Sequence, residues 1–116
     1  MSRTQALLEQ LTSDPESVEF EQVMAVIADE YVHTPSAFAN GDQVNSDEQN
    51  QGSCKILGFA RLNSLSESQT LYCFGRYYRE DVLLHPDGSD HGNIRAFMRT
   101  GWSGVELPEQ ALIRKN

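Results

Sequence analysis

Apolar residues recur at helical spacing in several separate stretches of the chain, with proline, glycine and asparagine between them. Phe20, Val23, Met24, Ile27 and Tyr31 fall at i, i+3, i+4, i+7 and i+11. That continuous stripe predicts a helix, ended by Thr34-Pro35. Glu19 and Glu21 near its start suit the positive end of the helix dipole. Ahead of it, Leu7, Leu8 and Leu11 predict a short amphipathic helix over Thr4–Leu11. Asp14-Pro15 interrupts it, because a residue before proline avoids the helical region.

Further along, Cys54, Ile56, Leu57, Phe59, Ala60 and Leu62 predict a central helix that is apolar on most sides, with Ser53 as its N-cap. Ser64 with Glu67, and Ser66 with Gln69, are two candidate capping boxes for a fourth helix. Its inner stripe is Leu71, Phe74, Tyr78 and Val82, and Pro86 and Gly88 stop it. Asp90 is placed to cap a last helix over His91–Thr100. Ile94, Phe97 and Met98 are expected to face inward there, with Gly101 as the stop.

Two regions lack this period. Phe38-Ala39-Asn40-Gly41 predicts a hairpin turn, since Asn-Gly readily takes the positive φ of a type I′ turn. The polar run from Asp42 to Gly52 reads as an ordered loop. Val105-Glu106-Leu107 predicts one short strand pairing with the 36–45 hairpin, and Arg114-Lys115-Asn116 a frayed end. The expected fold is mainly α (α+β): about five helices in one layer-packed domain spanning residues 1–116, with a small β-hairpin and a short C-terminal strand.

Charge changes this picture more than composition does. At 116 residues the chain suits a single core. The formal charge of −8 is uneven: residues 1–52 carry ten carboxylates and one cation, Arg3, whereas residues 53–116 carry seven carboxylates and eight cations. An acidic first half argues against nucleic acid and anionic membranes as partners. It favours a protein partner met through an acidic surface, by a monomer or weak dimer. No apolar run approaches the ~20 residues of a membrane span. Cys54 and Cys73 are too few for a disulfide scaffold, and nothing near Met1 resembles a secretory signal. Free thiols in a reducing cytoplasm are the expectation.

Candidate chemistry falls in three places. His85, Asp87, Asp90 and His91 lie within seven residues and offer N and O donors to a divalent metal. Their spacing matches no zinc or EF-hand pattern, so a turn plus a helix cap is the competing reading and no metal is expected. Cys54 sits one position inside a helix start, where the dipole would lower its pKa and make it a candidate nucleophile. Its apolar neighbours argue instead for a buried, inert thiol. Arg76 and Arg79, and Arg95 and Arg99, are spaced to share helix faces and to clamp a carboxylate or phosphate, with Asn40, Asn45 and Asn50 as polar neighbours. The alternative is internal pairing with Glu80, Asp81 or the acidic half. Tyr72, Tyr77, Tyr78 and Trp102 read as core residues with polar tips. No cofactor motif is present, and no cofactor is expected.

Several stretches resemble the HopJ family: Pro15-Glu16-Ser17-Val18-Glu19-Phe20 leading to Tyr31; Phe38-Ala39-Asn40-Gly41 with Asn50-Gln51-Gly52-Ser53-Cys54-Lys55; and Cys73-Phe74-Gly75-Arg76-Tyr77-Tyr78-Arg79-Glu80-Asp81-Val82, continuing through His85-Pro86-Asp87-Gly88 and Asp90-His91 to Gly101-Trp102. Together they cover about residues 6 to 107. The resemblance implies a type III secretion effector of unknown molecular activity, and it carries no catalytic residue or cofactor across. A helix starting near Thr4 would have to unfold for such export. The alternative is a cytosolic housekeeping protein, a small enzyme or an anion- or ligand-binding domain.

Overall fold

A computed structural model describes residues 2–115. Helix α1 (Arg3–Ser13) is followed by a single 3-10 turn, Pro15–Ser17, and by α2 (Phe20–Glu30). The chain then passes directly into strand β1 (Tyr31–His33). The hairpin β2 (Phe38–Asn40) and β3 (Gln43–Asn45) leads to α3 (Gln51–Leu62), α4 (Glu67–Tyr72) and a π-helical segment, Tyr77–Val82. Helix α5 (Gly92–Thr100), strand β4 (Val105–Glu106) and strand β5 (Leu112–Arg114) complete the described chain. Two small antiparallel sheets result. One pairs β1 with β5, Tyr31 opposite Arg114; the other runs β3-β2-β4. The α+β expectation holds, and β4 pairs with the hairpin as its sequence implies.

Helix α3 is the centre. Cys54, Ile56, Leu57, Phe59 and Ala60 are all fully buried, and the core extends from them to Val23 and Ile27 of α2, Phe97 of α5 and Leu112 of β5. Phe59 meets Tyr31 edge-on with ring centroids 5.5 Å apart. Burying one such ring contributes about 1.5–3 kcal/mol. Among the described residues no helix is long and apolar enough to cross a membrane.

Several local expectations are corrected. The hairpin turn is Gly41-Asp42, with only Gly41 at positive φ, while Asn40 stays in β2 with its side chain buried. The polar stretch after it contains β3. Helix α3 starts two residues ahead of Ser53, on Asn50 in the left-handed region. Asp90 does not cap α5; His91 occupies that position, also left-handed. Ser66 and Gln69 form their capping box, whereas Ser64 is a left-handed linker residue. Met98 is 45% exposed, because the inner face of α5 is Ile94, Ala96 and Phe97. Arg114 and Lys115 are not frayed: Leu112–Arg114 pairs with β1, and the Lys115 N–H donates to the Glu30 carbonyl at 3.0 Å, while Asn116 lies outside the described residues.

The fourth helix is shorter than its apolar stripe suggests. Gly75 has φ +60°, and a Cβ there would lie 2.6 Å from the backbone nitrogen of Phe20. Only glycine allows the chain to pass so close to the start of α2, and the turn it makes breaks the helix. The chain resumes as a π-helical segment, with the Leu83 N–H bonding the Tyr78 carbonyl five residues back at 3.0 Å.

Candidate functional site

That break and resumption build one wall of a cleft. The close approach at Gly75 sets Phe74 parallel to Phe20, with ring centroids 6.4 Å apart, and Tyr77 edge-on to Phe20 at 5.4 Å. The π-helical winding carries Tyr77 and Asp81 to the same side as His91. The rings of Tyr77 and His91 lie 5.3 Å apart, and His91 Nε2 is 3.0 Å from Asp81 Oδ2. π-Helical segments are rare and recur at functional sites.

The cleft encloses about 230 Å³ and is lined by Phe20, Phe74 and Tyr77 on one side and by two helix starts on the other. Asn50, Gly52 and Ser53 open α3, and His91, Gly92, Asn93 and Ile94 open α5. Both helices begin on a left-handed residue, and no side chain caps either one. First-turn N–H groups have no carbonyl partner within their own helix. Two sets of them therefore border one cavity, and each helix end carries roughly half a positive charge.

Beneath the cleft, four asparagines fix the two starts relative to each other. Asn50 Nδ2 donates to Asn45 Oδ1 at 2.7 Å, and Asn93 Nδ2 donates to the same oxygen at 3.1 Å. Asn45 Nδ2 donates back to Asn93 Oδ1 at 3.2 Å, and Asn40 Nδ2 to the Asn93 carbonyl at 2.8 Å. Asn40, Asn45 and Asn93 are buried. Such a network is stable only with nearly every member bonded, and it then specifies one arrangement. Asn93, Asp81 and Tyr77 escape sequence reasoning as a group because their partners lie on other segments; the density of asparagine from 40 to 50 is the only signal in the sequence.

Comparison with known proteins places this architecture. A family model described as HopJ type III effector protein matches residues 4–112. The chain belongs to the HopJ family. A crystal structure of a protein of unknown function, VPA0580, is 55% identical in sequence with a TM-score of 0.93, over 96% of this chain and 92% of that one. No curated protein matches significantly.

In this HopJ protein the arginines do not converge. Arg76 pairs with Glu19 at 3.3 Å, and Arg79 pairs with Glu19 at 3.1 Å while also donating to the carbonyls of Glu16 and Val18. Arg99 pairs with Asp42 at 3.0 Å. Arg95, with its side chain only 11% exposed, bonds Asp90 Oδ1 at 2.7 Å and the carbonyls of Asp90, His85, Pro86 and Asp81. It thereby pins the loop before α5 in place. Glu19 and Asp42 are residues of the acidic half, so three of the four arginines reach across to it.

The remaining candidates separate. Of the three asparagines named as neighbours of the arginines, Asn50 lines the cleft, and Asn40 and Asn45 lie in the network below it. His91 lines the cleft and Asp90 lies beside it, whereas His85 and Asp87 are exposed on the preceding turn. Cys54 is fully buried, and desolvation raises its pKa against the lowering expected from the dipole; Cys73 is pushed up to about 12 for the same reason. Trp102 packs edge-on against Phe97 and donates Nε1–H to the Leu65 carbonyl at 3.2 Å. Of the four aromatics considered together, Tyr77 alone lines the cleft.

Proposed function

We propose that this HopJ protein binds a compact anionic small molecule in the cleft between the starts of α3 and α5. The observation that supports this reading is the convergence, in one cavity, of two helix starts without side-chain caps and a histidine braced by a carboxylate. Helix starts favour phosphate and carboxylate groups through their N–H donors and dipole. The faces of Phe20, Phe74 and Tyr77 suit a flat or apolar remainder. At about 230 Å³ the cleft is smaller than the ~300–1,000 Å³ typical of drug-sized ligands, so a small metabolite-sized acid or phosphate ester fits it better than a cofactor.

Titration of ¹⁵N-labelled protein with inorganic phosphate, phosphate monoesters and small carboxylic acids tests the reading. The amides of Gly52, Ser53, Gly92 and Asn93 are expected to shift together and saturably. Ser53→Asp, which places a carboxylate of the protein at the cleft, is expected to abolish the response. Shifts confined to other surfaces, or no response to any compound, would overturn the proposal.

The family description favours a second reading, delivery as a type III effector, which concerns where the protein acts rather than what it holds. Helix α1 bears on its route. The N–H groups of Arg3 and Thr4 donate to the Glu30 carboxylate at 3.0 and 2.8 Å, so threading the N-terminal segment through a secretion channel requires α1 to detach from α2 first. A full-length reporter fusion that enters host cells only with an intact type III apparatus supports this reading; no entry removes it.

A further inference from the structure

We propose that Asp81, Asp90 and His91 form a binding site for a divalent transition-metal ion of the Zn²⁺, Co²⁺ or Mn²⁺ class. The proposal shares His91 with the cleft but does not depend on an anionic ligand being bound there. One donor atom from each residue lies within 4.8 Å of the other two. Two carboxylate oxygens converge on one imidazole nitrogen: Asp81 Oδ2 at 3.0 Å and Asp90 Oδ2 at 3.9 Å from His91 Nε2. A single N–H satisfies only one of them by hydrogen bonding. A cation at their common centre uses all three. Tetrahedral bonds of about 2.0–2.1 Å require donors about 3.3 Å apart, so Asp81 would move slightly away from His91 and the more exposed Asp90 would swing inward to close on both.

The cluster is also held from outside. Arg95 takes the other oxygen of Asp90 at 2.7 Å and donates to carbonyls at Asp81, His85, Pro86 and Asp90, fixing the loop that brings Asp90 alongside His91. Ligating carboxylates are commonly oriented by such an outer hydrogen bond, which leaves one oxygen for the metal. Asp81 is set by the π-helical segment and His91 by its left-handed backbone at the start of α5. One imidazole and two carboxylates, with no thiolate, suit borderline and hard divalent ions, and three protein ligands leave a coordination position for water.

Calorimetric titration of the untagged full chain with ZnCl₂, CoCl₂ and MnCl₂ provides the test, with cobalt also read by its visible absorption. At least one of the three ions is expected to saturate at about one per chain. His91→Asn keeps a residue that tolerates the left-handed backbone and should weaken binding by about tenfold or more, as should Asp81→Asn. His85→Ala should leave it unchanged, and circular dichroism of each variant confirms that it folds. Absence of saturable binding, or binding that survives His91→Asn and Asp81→Asn undiminished, overturns the proposal.

Discussion

The five α-helices of the described chain begin in two different ways. Ser2 accepts from the Gln5 N–H at the start of α1, and the Glu30 carboxylate sits on the same turn. Helix α2 opens on Glu19, whose own N–H donates to the Gln22 side chain at 3.3 Å, and α4 on the reciprocal Ser66–Gln69 box. Helices α3 and α5 open on left-handed Asn50 and His91 with no side-chain cap, and those two starts share a cleft. A side-chain cap is worth about 1 kcal/mol and needs only one Ser, Thr, Asp or Asn. Its omission at two sites that face each other leaves donors for something other than the protein. Helix α1 displays the alternative within the same molecule, a carboxylate already seated on a helix start.

The largest effect should come from breaking what holds the two open starts together. Asn93→Ala removes a side chain bonded to Asn45 in both directions and leaves buried donors and acceptors short of partners. A loss of about 1–3 kcal/mol is expected, read as a lower urea midpoint at unchanged slope. No loss would mean that the network does not fix the cleft.

Capped and open starts can be compared directly through serine. Ser66→Ala deletes the oxygen that accepts from the Gln69 N–H at 3.1 Å and should cost about 1 kcal/mol. Ser53→Ala makes the same change in the first turn of α3, where the hydroxyl caps nothing, and should alter stability by less than about 0.5 kcal/mol. Equal losses in urea melts of the two variants would erase the distinction.

Ser53→Asp sharpens the comparison from the other side. A carboxylate in the first turn of α3 should raise stability by about 0.3–1 kcal/mol in low salt. The same variant should lose the ligand response described above, trading function for stability at one position. A variant that is neither more stable nor blocked would show that the first turn of α3 does not attract anions.

How much of this was legible beforehand depends on sequence separation. The helix carrying Phe20 to Ile27, the apolar helix around Phe59 and the Ser66–Gln69 box are patterns within a few residues and are found, although the first helix ends at Glu30, with Tyr31 already in β1, and the second starts on Asn50 instead of Ser53. Met98 was misplaced because two adjacent apolar residues on α5 differ by a rotation of about 100° and only one of them fits the inner stripe. The break at Gly75 was hidden because its cause is the backbone of Glu19 and Phe20, far away in the chain. Cys54 sits near a helix start as expected, yet burial outweighs the dipole, and burial is a tertiary property. The cleft was invisible for the same reason: Asp81 with His91, Asn45 with Asn93 and Arg79 with Glu19 are meetings between segments. What the sequence does carry is the inventory, with Asn50 and His91 among the candidate residues and only their convergence missing.

The smallest predicted effect concerns the carboxylate that already occupies a helix start. Glu30 is held below its ordinary pKa chiefly by the Thr4 hydroxyl at 2.6 Å, and further by the backbone N–H groups of Thr4 and Arg3. A carboxyl whose pKa is lowered on folding stabilises the native state fully above its unfolded pKa, about 4.3 for glutamate. That contribution fades as pH falls through the lowered folded value. Glu30→Gln keeps an acceptor but removes the charge. The difference in urea midpoint between the parent and this variant should therefore be constant above about pH 5.5 and shrink steadily below about pH 4.3. Asp90, lowered chiefly by its bond to Arg95, titrates in both proteins and cancels from the difference. A difference that does not change with pH would mean that the charge of Glu30 is irrelevant at α1. No helix start in this fold would then be known to select an anion, and the cleft would rest on its shape and its asparagines alone.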